Sequence, residues 1–479
     1  MRKLILSIVA AAVAFPVVAG GLMTNTNQSA AFLRSIARGT TLDPDAVHHN
    51  PAGTVFMADG WHFGISNQMA YQTRSTTSSL LIGNNLPGGF TDTEFKGEVF
   101  SPLIPSFHLT WKKNRWAVMV GMGVNGGGGK IKYDNGLASF ERIVSSFPTL
   151  LTSEGLSTTQ YSRNLWLEGS SQTLAFNIGV AFRITDWLSV AAQLRMGVTS
   201  NSYKAQLSDM KINPVHPQLN PGNGMISAAD VLTAINKPTY AGMVNQKLNV
   251  DQKGTSWSPI IALAFHKGAW DATVKYEFKM GTTLENDTTN DINLGSGGMF
   301  PDGAKTYAQT PALLAIAASR QCGPVKVTAE WHHFFDKDAK NSFTENKLYD
   351  KEDPKSPQYF KNCTVKGNTN EYLVGAEWQI CKKLLVSAGV QRTQYNLEEQ
   401  YYSDMNFSTS SWSTGLGVAY NFTEKIRLNL GFMKTFYEDV TNKGIHSFSG
   451  QNLGTFTDIY SRTSTSWSIG LDFFFGKKK

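Results

Sequence analysis

Three cysteines in 479 residues are too few for a disulfide framework to hold this chain together. Charge is scarce as well, at 17%, where a soluble globular protein carries about a quarter. Beyond residue 20 there is no run of the roughly 18 apolar residues that a spanning helix requires. These absences exclude a cystine-stapled secreted domain and a helical membrane protein. The first cysteine is Cys322, so a lipoprotein leader is excluded too. Basic residues outnumber acidic ones for a net charge of +7, but they are scattered, with a single run at Lys477 to Lys479. Dispersed charge of this kind is a solvated surface and not a nucleic-acid footprint.

What is present is a leader-like start. Arg2 and Lys3 precede an apolar stretch from Leu4 to Val18, followed by the small residues Ala19 and Gly20. This is the layout of a secretory signal peptide, with cleavage predicted after Ala19. Residues 20–58 are polar and rich in Gly, Asn and Thr, ending in His49-Asn50-Pro51-Ala52-Gly53. They have neither strand alternation nor a long helical stripe, and are read as a plug.

From residue 59 to 479 one pattern repeats: about ten residues with every second one apolar and the other parity small or polar, which is a strand with two unlike faces. Trp61, Phe63, Ile65, Met69 and Tyr71 alternate with His62, Gly64, Ser66, Gln68 and Ala70; Trp116, Val118, Val120, Met122 and Val124 with Gly121, Gly123 and Asn125. The series continues to Trp467, Ile469, Leu471, Phe473 and Phe475, giving about fourteen strands. The eighth, near Tyr307 to Arg320, is the least regular. Short turns such as Lys113-Asn114, Lys267-Gly268 and Cys381-Lys382 alternate with long links at Gly126 to Ser171, Ala205 to Lys253, Asp338 to Thr369 and Asn442 to Ile459. Trp61, Trp111, Trp116, Trp187, Trp270 and Trp378 fall beside short turns, and Trp257 and Trp412 towards the long links. Two aromatic girdles, one apolar face on every strand and asymmetric loops define an antiparallel transmembrane β-barrel of the bacterial outer membrane, all-β, with the plug inside. Leu137 to Leu151 and Ser227 to Asn236 have helical spacing and are predicted to cap the extracellular mouth.

Several constellations invite chemistry. Gly126 to Gly129 before Lys130 lack the first glycine and the hydroxyl residue of a phosphate loop. His48-His49 and His332-His333, on an extended chain, point opposite ways and cannot chelate one ion together, so no metal and no cofactor is predicted. No nucleophile, base and orienter are spaced for catalysis, and the chain is not read as an enzyme. The inward charges Arg195, Lys275, Glu277, Glu330, Glu377, Arg427 and Asp472 either pair with one another and fix the plug, or orient a ligand carboxylate through Arg195, Lys275 and Arg427. Cys322 and Cys381 lie in neighbouring periplasmic turns and form a possible disulfide, though two strand spacings separate them.

With its plug closed by Asn50-Pro51-Ala52 and its fourteen strands, the mature chain resembles the outer-membrane transporters of long-chain fatty acids and other hydrophobic compounds, the FadL/TodX type. It departs from them at its end, where Phe475 is followed by Gly476 and three lysines. The resemblance implies passive uptake of a hydrophobic small molecule: capture at the loops, binding against the plug, and sideways exit through a kinked third strand at Gly121, Gly123 and Asn125. Asn50-Pro51 is expected to hold the plug's exit to the base of strand one. The implied partners are the ligand, outer-membrane lipid and the barrel assembly machinery, with a monomer as the functional unit. A general polar porin, a heme-type receptor and a surface adhesin are the alternatives.

Overall fold

The computed structural model describes residues 29–83, 86–292, 298–343, 357–405, 407–448 and 450–476. The predicted leader, its cleavage point and the terminal lysines lie outside them. Fourteen antiparallel strands close on themselves, each paired with its neighbours in sequence. They are β1 (Gly60–Ile82), β2 (Phe90–Lys113), β3 (Trp116–Tyr133), β4 (Tyr161–Arg183), β5 (Leu188–Ile212), β6 (Gln246–Lys267) and β7 (Trp270–Glu277 and Met280–Asn290). The second half comprises β8 (Lys305–Thr310 and Leu313–Cys322), β9 (Val325–Phe334), β10 (Thr369–Gln379), β11 (Leu384–Gln394), β12 (Ser411–Asn421), β13 (Ile426–Tyr437 and Val440–Phe448) and β14 (Gln451–Phe474). Closure is made by β14 on β1, in register from His62–Phe474 to Ile82–Gly454. The irregular eighth strand is broken at Pro311, which has no N–H to give to a ladder.

The two parities meet different surroundings. Ile65, Val120, Ile178, Leu263, Val374, Leu416 and Ile469 are exposed on the outside of the wall, and no aqueous surface tolerates so wide an apolar band. Trp61, Trp116, Trp270 and Trp378 form a girdle at the short-turn end, with Trp257 and Trp412 further up. Gly268 and Gly323 adopt positive φ in two of the short turns. Asn67 breaks the outward apolar pattern of β1 for a local reason. At a bulge against β2 its amide accepts from Ile104 N at 2.9 Å and donates to Pro102 O at 2.9 Å, replacing the missing ladder bonds.

Much of the chain expected as long links is strand. β4 begins at Tyr161, β5 runs to Ile212, and β6 starts at Gln246. The expected long link at Asn442 to Ile459 is a hairpin between β13 and β14. Once a strand rises beyond hydrocarbon, its outer face is no longer selected for apolar residues. The ladder continues while the alternation that announces it fades. Two helices of the loops, α3 (Ala138–Ser153) and α4 (Ala228–Ala234), lie where helical spacing placed them. They pack through Val144, Phe147, Leu151, Val231 and Leu232 into one apolar cluster with Ile212 and Phe448.

Inside the barrel sits the described segment before β1, residues 29–59. It contains α1 (Ala30–Ser35), the four-residue α2 (Ala46–His49) and a 3-10 turn at Pro51–Phe56. Ser29 caps α1 by accepting from Phe32 N at 3.0 Å. The barrel makes room for this segment by what it omits. A Cβ on Gly375 or Gly389 would lie 2.3 Å from the Ser35 carbonyl oxygen, and one on Gly415 2.6 Å from that of Leu33. These glycines, paired across β10, β11 and β12, let α1 rest on bare backbone. On the opposite wall Ala117, Ala181, Ala191, Ala262 and Ala264 pack on Val47, Ala52 and Val55.

Candidate functional site: a latched plug, a chamber and an interrupted wall

The plug is fastened by charges that are almost all engaged. Arg34 meets Glu377 at 2.8 Å and donates to Ser387 Oγ at 2.9 Å. Arg38 holds Asp43 and Asp45, each at 2.8 Å, and reaches Glu377 at 3.2 Å. Arg427 on β13 joins Asp43 at 2.6 Å to Asp472 at 2.8 Å. Burial alone would raise the Asp43 and Asp45 carboxyls, but the guanidinium groups of Arg427 and Arg38 outweigh it and hold both well below the usual carboxylate range. Glu330 on β9 accepts from the backbone N–H groups of Arg38 and Gly39 at 3.1 and 2.8 Å.

Asn50, Pro51 and Ala52 form a joint of a different kind from the one expected. Asn50 accepts from Gly53 N at 3.0 Å and from Thr273 Oγ1 at 3.2 Å, and donates to Thr41 O at 3.0 Å. Pro51 opens the 3-10 turn, where its missing N–H costs nothing. Ser189 Oγ donates to Ala52 O at 2.6 Å. The contacts therefore tie the joint to β5 and β7 and to the plug itself, not to the base of β1. His48 and His49 lie on α2 and not on an extended chain, with ring centroids 4.9 Å apart.

Above the plug is a small chamber, of about 40 Å³. It is lined by the apolar Phe32, Phe278, Met280, Leu313 and Phe334 and by the polar His49, Asn125, Arg195, Lys275 and Glu330. Arg195 and Lys275 border it as anticipated, but Glu277 takes both, at 2.5 and 2.9 Å, and Lys275 also donates to His48 O at 2.9 Å. His332 sits between Glu330 and Glu371 at 2.7 and 2.8 Å. Arg427 is not among the chamber residues and belongs to the latch. The three cations singled out in the sequence are thus each ion-paired with protein carboxylates.

The wall beside the chamber is interrupted. β2 and β3 pair from Lys113–Trp116 to Phe107–Met122 and again at Glu98–Lys132 and Gly97–Tyr133, with no ladder between. Gly121 remains paired with His108, so the break starts at Gly123, later than the Gly121 to Asn125 span expected. A Cβ on Gly121 would lie 2.9 Å from Val47 of the plug; this glycine accommodates the plug. Against β4, β3 bulges twice, between Val124 and Gly126 and between Gly127 and Gly129. Gly127 and Gly129 take φ of +85° and +96°, a left-handed backbone open to glycine. On β2 the facing stretch contains Pro102 and Pro105, which remove two donors that lipid would leave unsatisfied. Phe100 and Leu103 are exposed on its outer side. Asn125, 2% exposed, lines the chamber at this interruption.

Cys322, Cys363 and Cys381 are all free and exposed. The Cys322–Cys381 bridge is not formed, because the β9 and β10 ladder holds the two turns two strand spacings apart.

A closed apolar-banded wall with a latched amino-terminal segment in its lumen defines a plugged transmembrane β-barrel of the outer-membrane type. No described sequence family and no curated protein matches the chain. Its fold is shared with solved structures of low identity. A Pseudomonas aeruginosa FadL homologue superposes with a TM-score of 0.66 at 15% identity, covering 95% of this chain and 100% of that one. The Pseudomonas putida toluene transporter TodX gives 0.56 at 14%, with the same coverage.

Proposed function

We propose that this protein is a passive outer-membrane channel for hydrophobic small molecules, long-chain fatty acids foremost, of the FadL/TodX type. Residues 1–19 serve as the export leader, residues 20–58 as the plug, and the monomer is the working unit, inserted among outer-membrane lipid by the barrel assembly machinery. The observation that carries this reading is the missing β2–β3 ladder beside a chamber bordered by the plug residues Phe32, His48 and His49. An apolar solute moving sideways into hydrocarbon keeps its surface from water, worth roughly 25 cal/mol per Å², whereas a polar solute gains nothing there. One structural neighbour is a toluene transporter, which agrees with a hydrophobic cargo. A polar porin fits less well with a lumen filled by buried ion pairs. The test is uptake of a labelled fatty acid by cells carrying wild type or Gly123→Trp, with assembly checked separately. Loss of uptake in an assembled variant is expected, and normal uptake would overturn the sideways route.

A further inference from the structure

Two arginines stand opposite each other on the lumenal face, directly across the seam that closes the barrel: Arg74 of β1 and Arg462 of β14. Cross-strand partners have Cβ atoms about 5 Å apart, and like charges in that position repel. Elsewhere in the lumen arginines are matched, Arg34 and Arg38 with Glu377, Arg195 with Glu277, Arg427 with Asp43 and Asp472. Among the described residues no carboxylate lies within ion-pair distance of either Arg74 or Arg462. Arg462 donates to the neutral Gln72 Oε1 at 3.1 Å, and its Nε is buried without a partner. Instead of acids, the pair has aromatic rings. The Arg74 guanidinium carbon is 5.7 Å from the Phe407 ring centroid and that of Arg462 4.6 Å from Tyr437. Such stacking orients a guanidinium and leaves its N–H edge free to bind an anion.

The position of the pair is informative. Arg74 is opposite Gly97 on β2, and Gly97 in turn pairs with Tyr133 of β3. That pair and its neighbour Glu98–Lys132 form the upper rim of the wall interruption. Cationic donors therefore sit at the lumenal edge of the rim, on the loop side of the opening, beside the rings of Phe407 and Tyr437.

We propose that Arg74 and Arg462 form a binding site for the anionic head of an amphiphile, a carboxylate or a comparable oxyanion, whose apolar tail lies against the neighbouring aromatic rings. This deepens the hydrophobic-uptake reading and rests on it. The pair supplies what Arg195, Lys275 and Arg427 do not, cationic donors free of protein carboxylates. An acidic head is held at the rim while its tail reaches the opening first.

The experiment compares binding of hexadecanoic acid and hexadecanol to the purified full-length barrel in a neutral detergent, for wild type and for R74Q/R462Q. The expected result is a loss of roughly tenfold to a hundredfold in affinity for the acid, the worth of charge-assisted hydrogen bonds, with the alcohol unchanged. Equal acid affinity in wild type and variant, or an equal loss for acid and alcohol, would overturn the site. Displacement of the acid by millimolar inorganic phosphate would assign the arginines to free anions and overturn the amphiphile head. If wild type binds neither acid nor alcohol, the uptake reading fails first. Should the double variant not assemble, R74Q opposite an intact Arg462 carries the same comparison.

Discussion

Arg427 of the barrel wall and Asp43 of the plug meet at 2.6 Å, a contact that joins β13 to a segment nearly four hundred positions earlier. Arg427→Gln leaves Asp472 without a cation, beside an Asp43 that keeps only Arg38. Removing one member of a buried pair costs about 3–5 kcal/mol, so the plug is expected to dock less firmly. Liposome swelling with small sugars should be slow for wild type and measurably faster for the variant. Deleting residues 20–40, which removes Arg34 and Arg38 as well, should open a larger leak. No leak in either would mean that the plug does not occlude the lumen.

Acid should loosen the plug through its histidines before its carboxylates. Burial, aided by Lys275, outweighs the pull of Asp45 and Glu330 and lowers His49 to about 3, and His48 is likewise held well below its ordinary value, by burial and by His49. A base disfavoured as a cation when docked loses docking stability as pH falls below its free value, about 6.5, by about 1.4 kcal/mol per pH unit for each histidine. Asp43 and Asp45 have the opposite history: their lowered carboxyls stabilise docking above about pH 4, and that contribution disappears only in stronger acid. Sugar leak should therefore rise between pH 7 and 5, and His48→Gln/His49→Gln should flatten the rise. A wild-type leak independent of pH over this range would contradict the assignment.

Gly121 and Gly123 should separate two functions. A side chain at Gly121 meets Val47 of the plug, so Gly121→Trp is expected to raise leak. Gly123 lies where the β2 ladder has ended, so Gly123→Trp is expected to lower fatty acid uptake without a leak. Identical phenotypes would show that plug seating and the wall interruption are not distinct.

A single methyl at Gly389 should be felt by the plug. Its Cβ would lie 2.3 Å from the Ser35 carbonyl oxygen, and displacing packed backbone costs typically about 1–3 kcal/mol. Gly389→Ala should assemble, migrate faster unheated than boiled as closed barrels do, and expose the plug to protease. Unchanged protease resistance would count against the seating described for α1.

All three cysteines should react with a membrane-impermeant alkylating reagent when the protein is in detergent, giving three adducts by mass spectrometry. Protection of Cys322 and Cys381 together, released by reductant, would restore the bridge.

The lipid-facing half of the structure was written in the sequence because hydrocarbon imposes a strict rule: Trp116, Val118 and Val120 alternate with residues that never touch lipid. Where lipid ends the rule lapses, and so the upper parts of β4, β5, β6, β13 and β14 read as loops. The lumen obeys a weaker rule, that its polar groups be matched, which composition alone does not reveal. Gly375, Gly389 and Gly415 look like ordinary small inward residues until α1 is seen lying on them. Asn67 looks like an error of alternation until the β2 bulge supplies its partners. The resemblance implied a kink in β3 at Gly121, Gly123 and Asn125; the missing ladder begins only after Met122, since pairing depends also on the facing strand and on Pro102 and Pro105. Arg74 and Arg462 gave no local signal: they are neighbours only because the last strand returns to the first.

The height of the wall has its own consequence. β1 is 23 residues long, about 75 Å of strand at ~3.3 Å per residue, and even at a ~45° tilt it climbs about 50 Å against an apolar band about 25 Å tall. The upper half is a chimney standing in water. On the proposed uptake reading, it lifts the intake clear of the headgroups and into any sugar layer anchored to them, a hydrated barrier that poorly soluble molecules cross badly. On that reading a greasy solute entering the chimney is walled off from that layer for the chimney's height.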